Sequence, residues 1–195
     1  VGFRTSAGRV PIWPNQTAWY GLSIHGPMAR TVSDVALMLS AIAGPDPRAP
    51  IALREPGSIF AQPLGRDFTG VKVAWSQDLG SFPVDPRITR VLEAQRSVFG
   101  DIGCVVEEGE PDFRDADEVF KVLRAWIFEI GHREHLENHR DKLKQSVIWN
   151  TESGRVLTGP QIGDAEIKRT ELYHRVREFM EAVSYTHLRA HETYP

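Results

Sequence analysis

The sequence is poor in cysteine, in excess charge of one sign and in long apolar runs. Cys104 is the only cysteine among 195 residues, which excludes an internal disulfide framework. The 23 basic and 26 acidic side chains give a net charge of −3, so no basic surface favours nucleic acid. No apolar run approaches the ~20 residues of a membrane-spanning helix, and the first residues show no signal peptide. These absences predict a globular cytoplasmic protein that binds neither nucleic acid nor membrane.

Motifs of familiar catalytic and nucleotide-binding loops are also absent. The sequence contains no G-x-S-x-G turn, no P-loop and no G-x-G-x-x-G run. His132, His135 and His139 would share one helix face with Glu129, a spacing that a metal site could use. The pattern is not H-E-x-x-H, however, and its neighbours are charged, so we interpret it as a solvated polar face. We expect neither a metal nor another cofactor.

Residues 26–47 (GPMARTVSDVALMLSAIAGPDP) predict a buried helix, because they contain an N-terminal cap, an apolar face and residues that end a helix. Thr31 and Asp34 have capping-box-like spacing, with Asp in place of the preferred Glu. Gly44 can take the left-handed conformation that ends a helix, and Pro45 prevents its continuation. Apolar residues at helical spacing predict one buried face, which comprises Val32, Val35, Ala36, Leu39, Ile42 and Ala43.

A strand–helix–strand unit is predicted next. Residues 71–76 (VKVAWS) form the first strand, and residues 104–108 (CVVEE) form the second. Between them, Asp85 and Pro86 supply an N-cap and a first helical position, and the helix should end near Gly100 or Gly103. A βαβ unit of this kind has parallel strands and a right-handed crossover, so part of the fold is α/β.

The chain is predicted to be helical from Asp115 onward. Asp115 or Asp117 can cap a helix whose apolar face comprises Val119, Phe120, Leu123, Ile127 and Ile130. A charged helix is expected over residues 133–149, a loop over 150–163 and a last helix from about Asp164 to Ala182. The apolar stripe of the last helix comprises Ile167, Leu172, Val176, Phe179 and Met180.

Two runs of sequence closely resemble the amidase signature family. Members typically carry V-G-[LF]-[KR]-P-[ST]-x-G-R-[VI], and VGFRTSAGRV at residues 1–10 departs from it at Thr5-Ser6, where Pro-Thr or Pro-Ser is common. Residues 26–47 resemble the family's G-P-[ML]-[AT]-R-[ST]-V-x-D-[AV]-A-L-[ML]-L-x-x-[IL]-A-G-x-D-P. The fitting positions are Gly2, Phe3, Arg4, Gly8, Arg9, Val10, Gly26, Pro27, Arg30, Thr31, Asp34, Gly44, Asp46 and Pro47. The likeness extends more weakly to about Ala182.

The resemblance implies a mixed-sheet α/β/α fold, of which residues 1–182 would be an incomplete central and C-terminal part. Such enzymes hydrolyse amide bonds with a Ser–cis-Ser–Lys triad whose members precede the V-G-[LF]-[KR] run. No catalytic residue is therefore assigned within this chain, and the chain alone is expected to be inactive. Residues 26–47 would scaffold the nucleophile loop.

The resemblance also suggests which residues touch the substrate. In such enzymes the loop after the nucleophile and the central helical region line the acyl pocket. Trp19, Tyr20, Trp126 and Trp149 are the resulting candidates, and each could instead be an ordinary core or surface aromatic. The implied partner is a small-molecule amide, and a homodimer is left open.

Two alternative functions remain. One branch of the family is the A subunit of glutamyl-tRNA amidotransferase, which needs partner subunits and ATP. Residues 12–25 (IWPNQTAWYGLSIH) differ from the stretch usual in that branch, which favours a stand-alone amidase for small or xenobiotic amides. The other alternative is a non-catalytic interaction module carried by the His- and Arg-rich helix.

The last residues, Val183–Pro195, do not continue the apolar stripe of the preceding helix. VSYTHLRAHETYP resembles translated sequencing-adapter read-through, a non-native tail, although a frayed natural terminus is the alternative. In the family, the corresponding helix leads into a buried strand of the D-x-L-[LV]-x-P-[TA] kind. We therefore expect this segment to contact the folded part hardly at all, and a strand position in the sheet to stand empty.

Overall fold

The computed structural model describes residues 1–80, 83–183 and 185–187. The chain divides into two compact units, Val1–Arg66 and Asp67–Pro195. No helix in the described ranges is long and apolar enough to cross a membrane.

The first unit is built around one α-helix, α1 (Val32–Ile42), and a 3₁₀ segment, Gly57–Ala61. The predicted cap is confirmed, because the Thr31 hydroxyl accepts a hydrogen bond from the Asp34 N–H at 3.1 Å. The end differs slightly from the prediction. Ala43 is extended, and Gly44 has a φ of +140°, a region that favours glycine but lies outside the left-handed helix.

The buried face of α1 is shorter than predicted. Val35 and Leu39 are buried, as expected, but Val32 and Ile42 are 58% and 39% exposed. Within this unit, the short segment Gly57–Ala61 packs on α1, and it is too small to cover both ends of the helix. The helical period therefore predicted the direction of the face and overestimated its length.

The second unit contains a parallel sheet in the order β2-β1-β3. β1 (Lys72–Trp75) and β2 (Val105–Glu108) pair in the register Lys72↔Val105, which confirms the predicted parallel strands. β3 (Tyr185–His187) pairs with the other edge of β1, with Val73 opposite Tyr185.

β3 overturns part of the expectation for the C-terminal segment. The strand position beside β1 is filled by Tyr185–His187, so the prediction of an empty position and of almost no contact is wrong for these three residues. A short strand is held by backbone pairing and needs no apolar stripe, so helical periodicity gives no sign of it. Ser184 and residues 188–195 lie outside the described residues.

The helical connection between β1 and β2 is interrupted. α2 (Pro86–Glu93) begins as predicted, because the Asp85 carboxylate accepts a hydrogen bond from the Arg87 N–H at 2.8 Å. A turn over residues 94–96 separates α2 from α3 (Ser97–Asp101), where one continuous helix was predicted. Trp75 anchors both helices to β1, since its indole N–H donates to Glu93 at 3.1 Å and its ring packs edge-on against Phe99.

Three long helices complete the second unit. They are α4 (Ala116–Asn138), α5 (Gln145–Arg155) and α6 (Gly159–Ala182), with a 3₁₀ turn at Arg140–Lys142. Asp115 precedes α4 with a φ of +67°, but its side chain does not cap the helix. It accepts a hydrogen bond from Arg175 at 3.4 Å instead.

The predicted loop over residues 150–163 is wrong. α5 continues to Arg155, and α6 already begins at Gly159, where Thr158 and Gln161 form a capping box. Pro160 is compatible with this start because the first helical turn does not use its missing N–H. The glycines and the proline suggested a break, although their positions suit a helix end and a helix start.

Several predicted core positions on these helices are exposed. Val119 and Leu123 of α4 are buried as expected, whereas Phe120 is 52% exposed. The Arg124 guanidinium lies over its ring, 5.5 Å from the ring centroid. Ile167 and Met180 of α6 are also exposed. The remaining predicted positions are half-buried, namely Ile127, Ile130, Leu172, Val176 and Phe179.

Candidate functional site

The first signature run (residues 1–10) and the second signature run (residues 26–47) lie side by side in the first unit. Gly2 forms an antiparallel bridge with Met28. The Phe3 N–H donates to the Pro27 carbonyl, and the Ala29 N–H donates to the Val1 carbonyl, each at 3.0 Å. The two runs that carry the family resemblance therefore form one structural element, although more than a dozen loop residues separate them in sequence.

Thr5 stabilises the end of the pairing between the two signature runs. Its side chain is buried, and its hydroxyl donates to the His25 carbonyl at 2.7 Å. The neighbouring Arg4 donates to the Leu22 carbonyl at 3.3 Å. Sequence reasoning treated Thr5 only as a departure from the common proline and missed this bond. A proline could not make it, because proline has no hydroxyl group.

Two motif glycines allow close backbone approach. Gly8 has a φ of +77°, and a Cβ atom there would lie 2.9 Å from the Ile51 carbonyl carbon. The Gly8 carbonyl accepts a hydrogen bond from the Leu53 N–H at 2.9 Å. A Cβ atom at Gly26 would crowd the backbone of Phe3, 3.1 Å from its carbonyl carbon. Any larger residue at either position would separate these backbone segments.

Arg9 connects the first signature run to the rest of the unit. Its guanidinium lies 3.4 Å from the Glu55 carboxylate and 5.6 Å from the centre of the Phe60 ring. Its carbonyl accepts a hydrogen bond from the Gly44 N–H at 3.4 Å, beyond the end of α1. Arg9 therefore has a positioning function in this element.

Asp46 closes the second signature run. It accepts hydrogen bonds from the Arg48 side chain at 2.7 Å and from the Arg48 N–H at 2.9 Å. The side-chain bond, followed by the backbone bond, lowers the pKa of Asp46 to about 2. The carboxylate is therefore ionised at neutral pH and fixes the turn that follows α1.

The aromatic candidates of the first unit differ in exposure. Trp19 is 79% exposed. Tyr20 is half-buried and lines a cavity of ≈ 20 Å³, which is enough for a water molecule and far too small for an amide substrate. Trp19 is thus accessible to a ligand, whereas the cavity beside Tyr20 cannot hold an amide substrate.

The other two candidates belong to the second unit. Trp126 is half-buried on α4, and Trp149 is 56% exposed on α5, a helix that packs against α4. The role of all four aromatic residues in substrate contact stays a prediction.

The histidines of α4 lie on a polar surface. The His132 ring packs 5.3 Å from Phe128 and 5.9 Å from His135, and Glu129 pairs with Arg133 at 2.8 Å. Among residues 1–80, 83–183 and 185–187, no three His, Cys, Asp or Glu side chains are grouped so that they could hold a metal ion.

Comparison with known proteins identifies this architecture. It is an α/β scaffold, and the family model described as Amidase matches residues 1–187. The chain therefore belongs to the amidase family, as its two signature runs predicted. The match passes the predicted limit of Ala182 and includes β3.

Relatives are similar to the chain over different lengths. An acylamidase of Rhodococcus erythropolis is 28% identical over 183 residues, covering 92% of this chain and 38% of its own length. The A subunit of glutamyl-tRNA(Gln) amidotransferase from Pseudomonas savastanoi pv. phaseolicola is 31% identical over 124 residues, covering 63% of this chain and 26% of the subunit. The chain thus spans well under half the length of these relatives.

Solved structures confirm the predicted fold class. A bacterial aryl acylamidase of the amidase signature family matches 93% of this chain and 39% of its own, with a TM-score of 0.78 and 21% identity. A 6-aminohexanoate cyclic dimer hydrolase matches 93% of this chain and 40% of its own, with a TM-score of 0.77 and 16% identity. At these identities the likeness concerns the fold alone.

Proposed function

We propose that the chain is part of an amidase-family hydrolase that cleaves carboxylic amide bonds in small molecules in the cytoplasm. The observation that supports this proposal most is the pairing of the two signature runs, in which Phe3 and Ala29 bond to the opposite segment at 3.0 Å. This element is the part of the chain that most specifically resembles the amidase signature enzymes.

The proposed chemistry is acyl transfer through a Ser–cis-Ser–Lys triad. A serine attacks the amide carbonyl, the amine leaves, and water then hydrolyses the acyl-enzyme. A lysine kept neutral by burial acts as the base through the cis-serine, and backbone N–H groups stabilise the oxyanion. By resemblance, these groups precede Val1, and the first signature run would hold the end of their loop.

The aromatic residues Trp19, Tyr20, Trp126 and Trp149 are proposed to line the acyl side of the substrate site. The exposure of Trp19 and Trp149 supports their availability for apolar contact. In the complete enzyme, replacing either by Ala should raise KM for an aryl amide more than it lowers kcat, since such contacts bind ground state and transition state alike.

The A subunit of glutamyl-tRNA amidotransferase is the alternative that the comparisons keep open. Its similarity covers 63% of the chain, against 92% for the acylamidase. The wider coverage supports a stand-alone amidase. Dependence on ATP and tRNA distinguishes the two functions.

The test compares two proteins: this chain, and the chain extended by the coding sequence upstream of Val1. We expect the extended protein to hydrolyse p-nitroacetanilide without ATP and to be blocked by a fluorophosphonate. The chain itself should be inactive, since loss of a whole triad costs on the order of 10⁶ in kcat. Fluorophosphonate-sensitive hydrolysis by the chain itself would contradict the upstream triad, and a requirement for ATP and tRNA would favour the amidotransferase.

A further inference from the structure

A cleft lies outside the carboxyl ends of two neighbouring parallel strands in the second unit. β1 ends at Trp75 and β2 ends at Glu108, and the segments after them line the cleft from Leu79 and from Glu110. Its volume is ≈ 490 Å³, within the usual range of small-ligand sites. Ligands of open α/β sheets typically bind at this edge, so the position is favourable for a binding site.

The charges that line the cleft are not all balanced. Asp112 accepts a hydrogen bond from Arg114 at 2.7 Å and lies 3.6 Å from Arg175 of α6, so these charges offset one another. Glu110 has no such partner: among the residues that the structure describes, no Lys, Arg or His forms an ion pair with it. Glu110 therefore carries the unbalanced negative charge of the cleft.

Glu110 is nevertheless held in position. Ser76 is buried, and its hydroxyl donates to Glu110 Oε2 at 2.7 Å while it accepts the Leu79 N–H at 2.9 Å. The other oxygen, Oε1, would lie 3.2 Å from a Cβ atom at position 80, so Gly80 leaves the space beside it open. Gly80 also has a φ of +80°, which disfavours a larger residue. Oε2 is thus fixed, and within the part of the chain that the structure describes Oε1 accepts no hydrogen bond.

We propose that this cleft binds the ammonium group of a small organic amine, with Glu110 as its counter-ion. An alkylammonium has three N–H donors and no acceptor, which complements a carboxylate whose second oxygen has no donor among the described residues. Phe113 supplies an aromatic ring, a group that attracts organic cations, and Leu79 and Pro111 supply apolar surface for the body of the amine. This inference concerns a site on the chain itself and does not require the proposed hydrolysis.

The test is a titration of the full chain with butylammonium chloride, followed by the backbone amide signals of Gly80 and Phe113. We expect saturable shifts, and Glu110→Gln should weaken binding ~10-fold or more through loss of a charge-assisted hydrogen bond. Glu107→Gln is the matched control, because Glu107 is an exposed carboxylate on β2 away from the cleft lining. It should leave the affinity unchanged.

A second variant and a neutral probe complete the test. Ser76→Ala keeps the Glu110 charge and removes its positioning bond, so it should weaken binding by roughly 2–5-fold. 1-Butanol, which has the same alkyl body and no charge, should bind more weakly than butylammonium. Equal losses in Glu107→Gln and Glu110→Gln, equal binding of 1-butanol, or no saturable shift would each overturn the proposal. Catalytic inactivity would leave it unaffected, since binding is measured directly.

Discussion

Gly154 of α5 lies directly against the backbone of Ala125 in α4. A Cβ atom at position 154 would be 2.8 Å from the Ala125 carbonyl carbon and 2.6 Å from Glu129 Cβ. Real Cβ atoms essentially never approach other atoms so closely, and Ala125 is itself buried. The two helices can therefore pack at this distance only because position 154 has no side chain.

Gly154→Ala should destabilise the protein, although alanine is the better helix former. In an open helix interior, the exchange stabilises by ~0.5–1 kcal/mol. Here the added methyl group must push α5 away from α4, and overpacking of this kind costs ~1–3 kcal/mol. Urea denaturation of the full chain measures the difference. Gly163→Ala in α6 is the matched control, because nothing lies within 4 Å of a Cβ atom there, and it should stabilise. A stabilising Gly154→Ala would show that the helices are not in close contact.

The cap and the buried face of α1 should contribute unequally to stability. Thr31→Ala removes the partner of the Asp34 N–H and should cost ~1 kcal/mol. Leu39→Ala empties a buried site and should cost ~2–5 kcal/mol. Leu37→Ala makes the same exchange on the exposed side of the helix and should change stability by less than ~0.5 kcal/mol. Denaturant melts in which Leu39→Ala costs less stability than Thr31→Ala would contradict this assignment of faces.

The local features of the fold were predictable from sequence. The caps at Thr31 and Asp85 depend on a side chain and an N–H two or three residues away, so short-range spacing suffices to locate them. The start of α6 was missed because Gly159 and Pro160 suggested a break, although Thr158 and Gln161 carried a capping signal.

Contacts between distant parts of the chain could not be predicted from helical periodicity alone. The helical period indicates which face of a helix is apolar, and it does not show what covers that face, so the exposure of Phe120 and Ile167 was not predicted. The pairing of Phe3 with Pro27 was foreseeable only in outline, through the resemblance that placed both in one family pattern. No sequence pattern predicted the hydrogen bond from the Thr5 hydroxyl to the His25 carbonyl.

Thr5→Val should destabilise the first unit by ~1–3 kcal/mol. Valine keeps the shape of threonine, but it leaves the His25 carbonyl without its donor in a partly buried position. Amide hydrogen exchange of Phe3 and Ala29 reports the pairing directly and should accelerate. The control is Ser6→Ala at the adjacent exposed position, which should leave both exchange rates unchanged. Equal protection in Thr5→Val would show that the hydroxyl bond does not hold the pairing.

The pKa of Asp85 should depend on Arg87. The side-chain hydrogen bond from Arg87, followed by the backbone bond, lowers this pKa from 3.8 to about 2. A lowered folded pKa stabilises the protein above pH 3.8, and this contribution is lost as the pH falls towards 2. Arg87→Gln should therefore raise the pKa of Asp85. The free energy of unfolding of this variant should fall less steeply between pH 3.8 and about pH 2 than that of the unchanged protein. Carboxyl ¹³C shifts measure the pKa, and urea denaturation at several pH values measures the stability. The pKa of Asp46, which pairs with Arg48, should stay at about 2 as the internal control.

The pairing of β3 with β1 predicts that the C-terminal segment contributes to stability. β1 is the central strand, and Val73, Ala74 and Trp75 are all buried, so its backbone groups would lose their partners if Tyr185–His187 were removed. Each buried backbone group left without a partner costs ~1–3 kcal/mol. Deleting residues 183–195 should therefore lower the thermal midpoint by about 3 °C or more, the shift expected for ~1 kcal/mol in a unit of this size. Deleting only residues 188–195 keeps β3 and serves as the control for the strand itself. An identical midpoint in the full chain and in both deletions would show that β3 does not support the sheet in solution, and that Val183–Pro195 behaves as the non-native tail that its resemblance to read-through sequence suggested.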